Sequence, residues 1–147
     1  MEASARKKRV GLAILGVLLA ALLLYPFETT VVPEWRARVV DEAGNPLTGV
    51  IVTEHWQHYS IETEGHESET HTDNSGYVVF PGRAIRASIF MRAVGPVRSK
   101  VATGVHASFG VSAYLILSTG YEHVTENDSY RLGQPPPQTV VIRRLQH

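Results

Sequence analysis

Four histidines, His55, His58, His66 and His71, fall within seventeen residues of one another, among Glu54, Glu62, Glu64, Glu67, Glu69 and Asp73. Imidazole and carboxylate are ligands of first-row metals, so this segment is where a zinc or copper site would be sought. His66, Glu67, Glu69 and His71 are the nearest approach to a donor set. Spacing opposes it. On a strand, residues three apart point to opposite faces, so His55 and His58 cannot share an ion unless a loop separates them. The same composition suits a solvated edge strand, whose charges block edge-to-edge association. The segment is therefore read as an acidic loop and exposed edge, with metal binding over 54–73 as the alternative and no resident cofactor expected.

Nothing marks a nucleophile. No Gly-x-Ser-x-Gly occurs, and His106-Ala107-Ser108-Phe109-Gly110 reads as a loop entering a strand. No catalytic residues are expected. Trp35, Trp56 and Tyr59 could form a sugar-stacking platform, but Trp56 shares a strand face with Val50 and Val52, which points to the core. Asn127-Asp128-Ser129 fits a glycosylation acceptor.

The elements that must position these residues begin with a leader. Arg6-Lys7-Lys8-Arg9 precedes fifteen residues, Val10 to Leu24, without a polar side chain. Tyr25, Pro26 and Phe27 extend the run to eighteen, roughly 27 Å of helix against a ~30 Å hydrocarbon core. Residues 1–27 are expected to be an uncleaved signal anchor, a single transmembrane helix. The basic cluster would stay cytoplasmic and the C-terminal domain would lie outside, periplasmic or extracellular. The membrane, met through residues 10–27, is the expected partner. A cleaved signal peptide is the rival, but the run lacks the small-residue site that cleavage needs.

From Glu28 onward, ten Lys/Arg face thirteen Asp/Glu, which argues against nucleic acid as a partner. The chain has no cysteine, which excludes disulfides, thiolate chemistry, Cys-based zinc and lipid attachment through a thiol.

Residues 28–34 read as a linker. Trp35 to Val40 alternates apolar and basic, a strand signal. Asp41 to Pro46 is a turn, Val50 to Gln57 a second strand, and Asp73-Asn74-Ser75-Gly76 a turn into the strand Tyr77 to Phe80. Apolar residues at Ile85, Ile89, Phe90, Ala93, Val94, Val97 and Val101 have helical spacing and predict a helix over 83–94, ended or kinked by Gly95-Pro96. Ser112 to Ser118 and Thr139 to Arg143 complete the strands, with Gln134-Pro135-Pro136-Pro137 a stiff spacer. The expectation is a mainly β domain over 35–147: an antiparallel Greek-key sandwich of about seven strands with one inserted helix.

The run Asp41-Glu42-Ala43-Gly44-Asn45-Pro46-Leu47-Thr48-Gly49, then Thr72-Asp73-Asn74-Ser75-Gly76-Tyr77, then Gly120-Tyr121-Glu122, resembles the carboxypeptidase regulatory-like domains, a branch of the transthyretin-like sandwiches. The resemblance covers Trp35 to Leu145. It implies that Asp41, Gly44, Pro46, Gly49, Asp73, Gly76, Gly120 and Tyr121 define turns of the scaffold. These are scaffold residues and say little about activity. Taken with the leader and the missing catalytic signature, they lead to the expectation of a non-catalytic binding or structural module at the cell envelope, with another envelope protein as a candidate partner. Hydroxyisourate hydrolases share that sandwich and carry a Tyr-Arg-Gly-Ser motif. Here Tyr130-Arg131 is followed by Leu132-Gly133, so hydrolysis is the more remote alternative.

Overall fold

The computed structural model describes residues 2–103, 108–118, 120–124 and 128–145, with residues 2–5 and 102–103 as backbone only. Helix α1 spans Glu2–Leu24 and leads into β1 (Phe27–Val32), β2 (Trp35–Val40), β3 (Ile51–His58), β4 (His66–His71), β5 (Tyr77–Phe80) and β6 (Arg83–Ala87). Helix α2 (Ile89–Thr103) follows, then β7 (Val111–Leu117), β8 (Tyr121–His123), β9 (Ser129–Tyr130) and β10 (Thr139–Arg144).

The described residues thus hold ten strands in three sheets, which corrects the expected seven-strand antiparallel sandwich. One four-stranded sheet has the order β5-β2-β10-β8, the other β4-β3-β7-β9, and β1 pairs with β6 alone. The second sheet is antiparallel throughout, but β2 and β10 run parallel, with Arg38 opposite Thr139. A parallel neighbour needs a long return connection, which local turn signals cannot announce. The inward residues of both large sheets form one cluster. Trp35, Ala37, Val39, Val78, Phe80, Val140 and Ile142 meet Val52, Trp56, Ala113, Leu115 and Tyr130. The two tryptophans are therefore core residues. Trp35 is wholly buried, and its Nε1 donates to the Pro137 carbonyl at 2.8 Å, so the triple-proline segment is docked rather than a free spacer.

The transmembrane expectation is also corrected: among the described residues no helix is long and apolar enough to cross a membrane. The helix ends at Leu24, and by Phe27 the chain is already in β1, so Tyr25, Pro26 and Phe27 do not lengthen the apolar helix. Its other end is spent on the Arg6–Arg9 cluster. Only the fifteen residues from Val10 remain, about 22 Å of helix.

Two further readings change. Residues 28–34 contain most of β1, whose Val31 and Val32 are buried, so this stretch belongs to the domain. The helix expected over 83–94 begins later and runs further. Arg83–Ala87 is a strand with Ile85 and Ala87 inward, held by β1. Ser88 then caps α2, its Oγ accepting from the Met91 N–H at 3.1 Å. The helix continues through Pro96 to Thr103. Gly95 lets α2 lie on the Ser60 carbonyl, where any Cβ would collide.

Candidate functional site

The two turn motifs form and touch. Asp41 Oδ1 accepts from the Ala43 and Asn45 N–H groups at 2.9 and 2.8 Å, and Oδ2 from the Asn45 side chain at 3.0 Å. Hydrogen bonds from Asn45, then from the neighbouring backbone, hold the Asp41 carboxyl below the usual carboxylate range. Asp73 Oδ1 likewise accepts from Ser75 and Tyr77 N–H, and its carboxyl is lowered for that reason. Gly76 has φ 77°, and a Cβ there would lie 2.8 Å from the Val39 carbonyl and 2.9 Å from Pro46 Cβ. Only glycine fits that contact, which locks the second turn onto the first. Gly44, Gly49 and Gly120 also have positive φ, and Pro46 bridges to Val40. Tyr121 packs half-buried against the core.

The histidine segment divides. Along β4, His66 sits on one face and Glu67, Glu69 and His71 on the other, opposite His55, Thr53 and Ile51. The His66 ring stacks on Trp56 at 4.2 Å between centroids, and its Nε2 lies 2.9 Å from Glu62 Oε1. Glu67 lies 3.4 Å from His55 Nδ1, while Glu69 and His71 are exposed. Among the described residues no group of three or more His, Asp or Glu side chains is placed to hold one metal ion. The four metal candidates are not brought together.

His106 and Ala107 lie outside the described residues, as does Asn127 of the glycosylation motif. Ser108 accepts from Ser99 Oγ through its carbonyl. Tyr130, of the pair compared with the hydrolase motif, is buried in β9.

One residue with a buried charge escaped the reading of the sequence. Glu54 is fully buried on the inward face of β3, and its Oε2 accepts from both Nε and Nη2 of Arg83. Burial pushes the Glu54 carboxyl up, against the opposing pull of Arg83. Its Oε1 has no partner. The signal was the alternation itself: Val50, Val52, Glu54 and Trp56 share a face.

Among the described residues, most of the exposed large apolar side chains are helical. Every described side chain of α1, residues 6–24, is exposed. Helix α2 exposes Ile89, Phe90, Met91, Val94, Val97 and Val101. A cavity of about 170 Å³ opens between α2 and the turn after β3, lined by Ile61, Phe90, Met91 and Val94 with Ser60 and Arg98 beside them. Helices α1 and α2 are in contact. Arg92 ties α2 to the start of β1, donating to the Phe27 carbonyl at 3.2 Å and Thr29 Oγ1 at 2.9 Å. The apolar helix thus leaves the domain beside the apolar face of α2.

No protein-family model matches the chain, and neither does any curated protein or solved structure.

Proposed function

We infer that the chain is a non-catalytic binding module held at a membrane through the apolar run of α1, Val10 to Leu24. The observation that carries this reading is the exposure of α1. Its apolar residues point in all directions and contribute nothing to the buried core. A helix apolar all round needs an apolar phase all round. Ten large apolar side chains between Val10 and Leu24 are exposed, so immersion in lipid is worth on the order of 10 kcal/mol. The Arg6–Arg9 cluster adds attraction to anionic headgroups, about 1 kcal/mol per charge near the surface. At about 22 Å the apolar run enters a bilayer without reaching across it.

The non-catalytic half of the reading rests on the sequence, in which nothing marks a nucleophile. The interlocked turns of the β domain are scaffold, and they are the residues on which the resemblance to carboxypeptidase regulatory-like domains rests.

Vesicle flotation tests the attachment. The full chain should float with phosphatidylcholine vesicles, and more completely when phosphatidylglycerol is added. A variant carrying Leu15→Asp and Leu19→Asp should stay at the bottom of the gradient. A monodisperse wild-type protein that ignores vesicles would sink the reading, and turnover on a peptide, ester or ureide panel would remove its non-catalytic half.

A further inference from the structure

The outer face of the β5-β2-β10 sheet carries a cleft of about 420 Å³, lined by Arg36, Arg38, Tyr77, Gln138 and Thr139. It lies away from the helices and borders the Asp73 turn, which Tyr77 closes through its N–H. Its geometry follows from the register. Arg36 and Arg38 are two apart on β2 and share a face. Arg38 stands opposite Tyr77 of β5 on one side and Thr139 of β10 on the other.

Both guanidinium groups are drawn over a single ring. The Arg36 guanidinium carbon lies 4.6 Å from the Tyr77 centroid, and that of Arg38 lies 5.8 Å away. Cation–π attraction favours each contact separately, but it also gathers two like charges at one point. Neither guanidinium is claimed by a direct ion pair. Among the described residues Arg36 and Arg38 form no ion pair within 4 Å, whereas Arg83 and Arg86 each have one and Arg143 has two. Arg38 Nε makes a long bond, 3.4 Å, to the Ser75 carbonyl. Asp73 feels Arg36, but its Oδ1 is occupied by the backbone N–H groups of Ser75 and Tyr77.

Two planar donor forks with unclaimed N–H groups match the oxygens of a carboxylate or phosphate. Gln138 and Thr139 add neutral hydrogen-bonding groups at the rim of this open cleft. We propose that this cleft is a binding site for a small oxyanionic ligand, bearing phosphate or clustered carboxylates, gripped by Arg36 and Arg38. The site stands on the β domain alone, so it does not depend on the membrane reading.

Titration calorimetry of the full chain in an uncharged detergent, with inorganic phosphate and with citrate, tests it. At least one anion should bind saturably, and more weakly as sodium chloride is raised. Arg36→Gln and Arg38→Gln should each weaken binding about tenfold or more, the loss of one charge-assisted contact. Arg38→Lys, which keeps the charge and loses the fork, should also bind more weakly. Arg144→Gln, outside the cleft, should bind like wild type. Phosphate binding more tightly than citrate would assign a phosphorylated ligand, and the reverse order a polycarboxylate. Absence of saturable heat with both anions would overturn the proposal, as would undiminished binding by the folded Arg36 and Arg38 variants.

Discussion

Glu54 Oε2 lies 2.8 Å from Nε and 2.6 Å from Nη2 of Arg83, joining the interior of β3 to the first residue of β6. Because β6 pairs only with β1, this contact fastens the small two-stranded sheet to a large one. Taking one partner away strands the other charge. Glu54→Ala or Arg83→Ala should lower stability by about 3–5 kcal/mol in urea unfolding. The double change Glu54→Leu with Arg83→Met should recover most of that loss, since two apolar side chains replace two desolvated charges. A double variant no better than either single one would show that packing, rather than charge, sets the cost.

The Glu54 carboxyl also makes stability depend on pH. Its folded pKa is raised above 4.5, chiefly by burial. Between the two pKa values the folded state binds more protons than the unfolded state, so stability falls as pH rises. Glu54's contribution is complete below about pH 4.5 and is lost as pH climbs through the raised value. Glu54→Gln should flatten that decline, as read from melting temperature against pH.

Asp73 works in the opposite direction. Its carboxyl is lowered from 3.8 by hydrogen bonds from Tyr77 and Ser75. The stability it lends is present above that value and fades as pH falls through the depressed one. Asp73→Asn keeps an acceptor oxygen for both N–H groups but removes the charge. It should therefore flatten the acid limb of the profile while leaving the turn intact by backbone amide NMR.

Gly95 gives a reversal of sign. Alanine in place of glycine inside a helix normally stabilises by about 1 kcal/mol. At Gly95 the added methyl would meet the Ser60 carbonyl, a backbone atom that cannot swing aside. Gly95→Ala should therefore destabilise the protein and loosen α2, visible as faster hydrogen exchange in the Met91 to Arg98 segment. A more stable variant would mean that α2 does not rest on Ser60.

The turns were legible in the sequence because their causes are local: Asp41 and Asp73 cap their own backbones, and glycine supplies the positive φ. The strands were legible for the same reason: β2 from its alternation, β3 from its β-branched apolar start and β5 from the turn that leads into it. Elements decided by distant partners were not. Phe27–Val32 looks like a linker until β6 lies beside it. Ile85 and Ile89 fit helical spacing, and only Ser88 between them marks the change from strand to helix. Glu54 stood among the acids of a polar segment, although its face assigned it to the core. Its partner is twenty-nine residues away and carries no local sign.

The parallel pairing of β2 with β10 also has a meaning in time. Trp35 and Pro137, joined by a hydrogen bond, are 102 residues apart in the chain. Synthesis at about 5–20 residues per second separates them by roughly 5–20 s. Throughout that interval one edge of β2 is open and the Trp35 indole has no acceptor. The arginines that line the outer cleft of the finished fold stand along that same strand, where their charge discourages a stray strand from docking. Arg36 and Arg38 would thus protect the nascent chain before any ligand reaches them.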